Sequence, residues 1–318
     1  MLERGRLDRV HLESTSRARP RAFVVSPIWF LRLAALELFA LWLIIATGAA
    51  VRLTASGLGC RHWPGCEAGH PLPAKDYHAF IEFGNRVIGG ITILLTLLAA
   101  VVAQWTPLGR RGRQLAGAIF LGALAQAPLG YLAVKTDLHW PVVAAHLLLS
   151  MLLVAAAVLL VFLAAEAISG RIEPLVPVEL RRFGIWVAAA GLALLVSGSL
   201  ATAAGPHSGG GTEHVGRLGR LEPVVYVHAG VVALFGCSFL FMLGYLASRR
   251  AAAPRLFRAA LAVLALLLAQ VGLGELQYRL HLPWYLVLVH VAVAAAAWIG
   301  IVALVTALWR PPMAFART

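Results

Sequence analysis

Eight apolar runs, each close to the ~20 residues that an α-helix needs to cross a bilayer core, leave this chain little choice of architecture. They lie near residues 28–51, 79–104, 114–134, 141–165, 183–204, 224–247, 255–277 and 284–308. Inside lipid every backbone N–H and C=O must be satisfied within the protein, so runs of this length are read as membrane-spanning helices. The composition agrees. Only 13% of residues are charged and the mean hydropathy is +0.82, where a soluble domain carries about 25% charge. The net charge of +13 would point to nucleic acid if it were gathered on one surface. It is dispersed in short patches between the apolar runs, which excludes that class.

Those patches set an orientation. Of the 27 Lys and Arg residues, 19 fall in the N-terminal tail, in the loops after the even-numbered runs two, four and six, and in the C-terminal tail. The positive-inside rule places that side, and both termini, in the cytoplasm. The first 21 residues are Arg-rich, but they include Glu3, Asp8 and Glu13 and no short apolar segment with a cleavage site follows. This reads as a cytoplasmic tail in a bacterium, with a mitochondrial origin as the alternative.

The chain repeats itself. "AQAPLGYLAVKTDLHWPVVAAHLLLSML" in runs three and four matches "AQVGLGELQYRLHLPWYLVLVHVAVAAA" in runs seven and eight. At an offset of 144, Gln126 meets Gln270, Gly130 meets Gly274, Trp140 meets Trp284 and His146 meets His290. At 143, Asn85 meets His228. The ends of runs one and five also correspond, "ATGAAVRLTASG" beside "VSGSLATAAGPHSG". The expected fold is therefore an all-α integral membrane protein of two tandem four-helix bundles. Both start inside, so a pseudo-two-fold axis along the membrane normal relates them. The divisions expected are a cytoplasmic tail (1–27), an N-terminal bundle (28–165) with an outer loop at 52–78, a cytoplasmic linker (166–182), a C-terminal bundle (183–308) and a tail (309–318).

Of eleven histidines, eight (His11, His62, His70, His78, His139, His207, His214 and His281) lie in the tail or outer loops and are expected to be solvated. His146, His228 and His290 lie within runs. A lone membrane histidine ordinarily makes a helix–helix hydrogen bond. Here His228 and His290 occupy repeat-related positions near the outer ends of two even-numbered runs. Two imidazoles at matched depth in one bundle can ligate a haem iron. Zinc fits less well, because no Cys, Asp or Glu completes a tetrahedral set. The N-terminal half keeps His146, but its partner position holds Asn85, a poor iron ligand. One half reads as a permanent two-ligand haem site, and the other as a looser site for a similar planar molecule.

Beside Asn85 stand Glu82 and Arg86, on one helix face at i, i+3 and i+4. Glu82 is either a proton acceptor at the mouth of the bundle or half of a structural ion pair that neutralises both charges in a costly place. Arg86, Arg52 and Lys75 are candidates for anionic carboxylates on a ligand, with headgroup anchoring as the alternative and the better reading for Lys75. Cys60 and Cys66 lie in the first outer loop, "GLGCRHWPGCEAGHPLP", on the oxidising side. A disulfide is expected there, with two free thiols as the alternative. Cys237 reads as a small apolar residue, Trp140 and Trp284 as interfacial belt residues, and Pro128 as a kink in run three.

From about residue 28 to 308 the chain resembles haem A synthases. The resemblance is carried by "TGAAVRLTASGLGCRHWPGC", "IEFGNR", "HWPVVAAHLLLS", a histidine in run six and "LPWYLVLVH". It implies an oxidoreductase of two four-helix bundles. Such an enzyme oxidises the C8 methyl of haem O to a formyl group, through a hydroxymethyl intermediate, giving haem A for terminal oxidases. It implies haem B held between His228 and His290 in the C-terminal bundle, and the substrate haem O at His146 in the N-terminal bundle. It also implies an essential glutamate at Glu82 and an outer cysteine pair at Cys60 and Cys66. The family pattern is E-x-x-H-R, and this chain departs from it at Asn85, which leaves a five-coordinate iron on His146 as the simplest consequence. Propionate contacts fall to Arg86 and Arg52. The resemblance leaves open the electron donor, a homo-oligomer and a complex with the prenyltransferase that makes haem O.

Two other readings compete. A haem B electron-transfer cytochrome that modifies nothing predicts two full ligand pairs, against Asn85. A transporter on a tandem repeat predicts midplane charges, whereas the polar residues of this sequence are read as clustering at the outer ends. The topology has a direct test. A fluorescent protein fused after Thr318 should fluoresce and alkaline phosphatase fused there should stay inactive; the opposite pattern would invert the orientation.

Overall fold

The computed structural model describes residues 24–313 apart from 61, 64, 68, 70, 71, 74 and 211–214. The tail expected over 1–27 lies almost wholly outside the described residues, as do His11, His70, His214 and residues 314–318 of the C-terminal tail. Eight helices follow in order: α1 (Pro27–Leu53), α2 (Tyr77–Val102), α3 (Gly109–Lys135), α4 (Trp140–Ser169), α5 (Val178–Ala204), α6 (Leu221–Ser248), α7 (Pro254–Arg279) and α8 (Trp284–Trp309). All eight are long and apolar enough to cross a membrane, and the chain is an all-helical, multi-pass membrane protein. Each expected span coincides with one helix, but α3 and α5 begin a turn or more earlier than their apolar runs. The added turns hold Arg110, Arg111 and Arg113 in α3 and Arg181 and Arg182 in α5. Hydropathy stops at the first charge. The helix does not, because Arg can lay its methylenes along the helix and lift its charge to the interface.

Local chemistry ends the helices where the turns require it. Asp76 caps α2 by accepting the Ala79 N–H at 2.9 Å, which satisfies a first-turn donor. Proline opens α1, α4 and α7 in the first turn, where its missing N–H costs nothing. Gly170, at φ 73°, follows α4 in the left-handed region that glycine enters without penalty. Pro128 lies inside α3, which continues through it.

Helices α1–α4 close a ring in which each packs on the next and α4 returns to α1; α5–α8 do the same, with α6 touching α7 only lightly. The halves meet where α4 packs on α8, α1 on α8 and α4 on α5. A two-fold operation exchanging the halves maps the α4–α8 contact onto itself and α1–α8 onto α5–α4, which is the pattern found. Repeat-related residues can touch only near such an axis. Glu166 and Arg310, offset by 144, pair at 2.6 Å at the C-terminal ends of α4 and α8. At the other end Gly57 N donates to Gly209 O at 2.9 Å. Trp42 Nε1 on α1 donates to Ala292 O on α8 at 3.0 Å, and Trp298 Nε1 on α8 donates to Met151 O on α4 at 2.9 Å.

The repeat extends to backbone detail. Asp137 and Leu138 between α3 and α4 have φ of 49° and 57°, and their counterparts His281 and Leu282 between α7 and α8 both have 61°. Consecutive left-handed residues cost on the order of 1–2 kcal/mol each when they carry a Cβ. Bonds back to the preceding helix offset this: Leu138 N to Ala133 O at 2.8 Å and Leu282 N to Gln277 O at 2.7 Å. Leu138 also sits against the Gly57–Gly209 pair, where a Cβ on either glycine would come within 2.9 Å of its Cδ1.

One expectation is corrected. The polar residues do not all cluster at the outer ends. Glu37 lies near the middle of α1, fully buried, and neither carboxylate oxygen has a partner among the described residues. An acidic residue in an apolar span is expected to turn away from lipid, but its complete burial without a partner is visible only once the helices are packed.

The junction between the halves is testable. Trp298→Phe keeps the ring and removes the donor to Met151, and should cost about 1 kcal/mol of unfolding free energy in detergent. The exposed Trp105→Phe should stay within about 0.5 kcal/mol of the parent. Equal effects would show that the Trp298 bond does not hold α4 to α8.

Candidate functional site

Four side chains stand at repeat-related positions, one on each even-numbered helix: Asn85 on α2, His146 on α4, His228 on α6 and His290 on α8. Each rests against a glycine on the helix before it. A Cβ at Gly48 would lie 3.9 Å from Asn85 Oδ1, and one at Gly130 would lie 3.6 Å from His146 Cε1. At Gly198 the distance to His228 Cε1 would be 3.3 Å, and at Gly274 the distance to His290 Cε1 would be 3.4 Å. A Cβ would press on the polar group at Gly198 and would meet it in ordinary contact at Gly48, Gly130 and Gly274, so each glycine marks where the neighbouring helix passes beside the polar group. The pattern was present in the repeat as Gly130 with Gly274 and as the "TG" beside "SG" of the first spans. Its meaning needs the neighbouring helix.

In the C-terminal half Ser197 Oγ on α5 lies 2.9 Å from His228 Nδ1. This fixes the ring and leaves Nε2 uncommitted. His290 makes no hydrogen bond among the described residues, and its Nδ1 is buried without a partner. His146 in the N-terminal half likewise has a buried, unpartnered Nδ1. The helix–helix hydrogen bond that ordinarily explains a membrane histidine is therefore missing at His146 and His290. Imidazoles held on facing helices with nitrogens uncommitted fit an iron–porphyrin between His228 and His290 and a singly ligated one at His146. Among the described residues no set of three or more His, Cys, Asp or Glu side chains gathers as a compact metal site would need.

The second half of the constellation differs in polarity. Gln126 Nε2 donates to Ser150 Oγ at 2.8 Å and to His146 O at 3.2 Å. Residue 150 has alanine as its counterpart in the repeat, while the Oε1 of both Gln126 and Gln270 is buried without a partner among the described residues. Asn85 Oδ1 accepts the Thr47 hydroxyl at 2.8 Å. Thr47 and Ser197 precede Gly48 and Gly198 in the matched segments, so one hydroxyl receives Asn85 and the other His228.

One turn before Asn85, the loop between α1 and α2 packs on the start of α2. Cys60 and Cys66 form a disulfide. Both cysteines are buried against Ala79 and Phe83 of α2. Glu82 is 4% exposed; its Oε2 accepts the Cys60 N–H at 2.8 Å and its Oε1 accepts Arg86 Nη2 at 2.5 Å. Arg86 also donates through Nη1 to His62 O at 2.7 Å and to Gly65 O. Glu82 and Arg86 thus fasten the disulfide loop to α2, so the structural ion pair is real. Each Glu82 oxygen still has acceptor capacity. Gly59 cannot become larger, because a Cβ there would lie 2.6 Å from the His78 backbone carbon.

The geometry redirects one candidate. Arg52 Nε donates to His207 O at 2.9 Å and Nη2 to Thr202 O at 2.8 Å. Its guanidinium therefore serves the carbonyls at the end of α5 in the other half, on the pole that attracts cations. Lys75 is exposed, as a headgroup anchor would be, and Cys237 is exposed on α6. His78 and His207, expected to be solvated, are half-buried and hydrogen-bonded, to Ser56 Oγ at 3.0 Å and Leu282 O at 2.7 Å.

A family model described as a cytochrome oxidase assembly protein, COX15-CtaA, matches residues 31–205, from α1 to the end of α5. It includes Glu82, Asn85, Arg86, His146 and both loop cysteines, and ends before His228 and His290. The chain is similar to a heme A synthase of Bacillus pumilus, 33% identical over 138 residues, covering 42% of this chain and 45% of the relative. It is similar to a heme A synthase of Symbiobacterium thermophilum, 37% identical over 112 residues, covering 35% and 36%. A heme A synthase of Shewanella oneidensis is 26% identical over 336 residues, covering 91% and 98%. The matches to the Bacillus pumilus and Symbiobacterium relatives thus span less than half the length of each.

The loop has a simple check. The intact protein should be about 2 Da lighter than its reduced form, from the two hydrogens lost on bridging. Identical masses would mean that Cys60 and Cys66 are free thiols.

Proposed function

This chain belongs to the COX15-CtaA family of cytochrome oxidase assembly proteins, and we propose that it is a haem A synthase. It oxidises the C8 methyl of haem O to a formyl group through a hydroxymethyl intermediate, in two successive oxidations. The observation that carries this reading is the asymmetry of two repeat-related pairs: two imidazoles stand in one bundle, and one imidazole and one amide in the other. A cytochrome without haem-modifying activity would have no use for that difference. Haem A synthases among the similar proteins support the same reading.

In the C-terminal half (183–308), His228 and His290 would hold haem B by its iron, and this cofactor would supply one-electron redox chemistry. Ser197 donates its hydroxyl hydrogen to Leu194 O and orients His228 by accepting the Nδ1–H, which leaves the Nε2 lone pair to the iron. The N-terminal half (28–165) takes the substrate, haem O, with His146 on its iron and Asn85 on the opposite face. The substrate propionates fall to the outer mouth, where Arg86 lies. Arg52 is assigned to joining the halves. Glu82 takes up a proton released from the substrate methyl. Its carboxylate already holds the Cys60 N–H and Arg86, so it is positioned by the disulfide loop, which also keeps water from the mouth.

The protein is placed in a bacterial cytoplasmic membrane with both termini inside, surrounded by lipid. It draws on an electron donor and is supplied by the prenyltransferase that makes haem O, whether or not the two touch or the chain self-associates.

In a host that makes haem O but not haem A, expression should yield haem A or its hydroxymethyl precursor on chromatography of extracted haems. Haem B and haem O alone, from folded protein supplied with oxygen and reductant, would return the chain to the cytochrome reading. His228→Ala or His290→Ala should abolish the low-spin b-type spectrum; an unchanged spectrum would remove both from the iron. Glu82→Ala should keep that spectrum and lower product formation by at least about 100-fold, the usual scale of a lost proton acceptor. Normal turnover would leave Glu82 only its structural role.

A further inference from the structure

Asn85 spends one end of its amide and keeps the other. Its Oδ1 accepts the Thr47 hydroxyl at 2.8 Å, while its Nδ2 makes no hydrogen bond among the described residues. In the other half His228 spends Nδ1 on Ser197, at 2.9 Å, and keeps Nε2. The two hydroxyls come from the same place in the repeat, one residue before Gly48 and Gly198, and both glycines lie under the group the hydroxyl holds. One device therefore serves both halves: a hydroxyl from the odd-numbered helix takes the near end of the even-numbered helix's polar group. The far end is then presented to the bundle. In the C-terminal half that far end is a ring nitrogen with a lone pair. In the N-terminal half it is an NH2 group, which has two hydrogens and no lone pair to give a metal.

From this we infer that Thr47 is a positioning residue that aims the Asn85 NH2, as a hydrogen-bond donor, at the open coordination position of an iron carried on His146. The inference rests on the proposal that this half takes haem O, and it concerns what that site does with a sixth ligand. A histidine at position 85 would close the iron. An amide held by Thr47 leaves it open and offers a small ligand there an N–H. Charge is not changed, so the donor adds no buried ion at this depth. Removing the Thr47 hydroxyl would free the amide to turn, and its oxygen would then oppose rather than attract a negative ligand atom. Thr47→Ser keeps the hydroxyl and should keep the orientation.

The test is spectroscopic and needs no turnover. The full chain is purified from a host supplying haem O, and the low-spin b-type signal of the C-terminal half serves as the folding control in every variant. The parent should show a second, high-spin ferric iron, and Asn85→His should convert it to low-spin. The ferrous protein is then given carbon monoxide. Asn85→Leu and Thr47→Val should each raise the C–O stretching frequency, because the N–H donor to the ligand oxygen is lost or turned away, and Thr47→Ser should restore the parent value. A band that does not move in Thr47→Val, or moves equally in Thr47→Ser, overturns the role of Thr47. A parent iron that is already low-spin overturns the open position. A complete lack of a second haem overturns the substrate-site reading itself and this inference with it, which separates the two failures.

Discussion

An imidazole or an amide can point into a membrane bundle only if the adjacent helix leaves room for it, and it is aimed where that helix also takes up the polar atom it does not use. Both conditions are met by a glycine and, on the first helix of each half, by the hydroxyl residue before it. Gly48, Gly130, Gly198 and Gly274 let Asn85, His146, His228 and His290 stand beside the neighbouring backbone, and Thr47 and Ser197 hold two of them. In lipid there is no water to satisfy a misdirected donor, so the orientation of each group is set by these contacts. Everything proposed about ligation follows from which atom each contact leaves uncommitted.

The same economy shapes the junction of the halves. Two copies of one bundle related by an axis bring like residues together along that axis. Such pairs are useful only if the copies have diverged into complementary chemistry. Position 166 is Glu and its counterpart 310 is Arg, and they form an ion pair. At the opposite face two glycines meet backbone to backbone under Leu138. The strained left-handed turn before α4 is kept in both halves because it sets the entry of the helix that carries His146 or His290. Arg52 then ties the end of α1 to the end of α5, so the mouths of the two bundles are mechanically joined.

The N-terminal mouth has a part the other half is not described as sharing: a disulfide loop held on Glu82 and Arg86. By its sequence context Glu82 has two alternative roles, ion pair and proton acceptor. The structure shows that the first is filled, with both oxygens engaged, and the same contacts place the carboxylate at the mouth where the second would be carried out. Glu37 is a different case. It is a carboxylate sealed in α1 without a partner, and no feature of the described residues explains it.

What the sequence by itself determined is whatever depends on local pattern or on internal comparison. Apolar length located the eight helices to within a few residues. The offsets of 144 and 143 exposed the two bundles and paired Asn85 with His228, and the loop cysteines signalled their bridge. What only the tertiary structure decided is which atoms face which. The glycine beneath each polar group, the hydroxyl that receives Asn85, the turn of Arg52 towards α5 and the burial of Glu37 all depend on helices brought together from distant parts of the chain. A run that is apolar all round says that it lies in a membrane, but not which of its faces meets a neighbour. Packing alone chooses that face, because lipid and protein are equally apolar and only the fit between helices tells them apart.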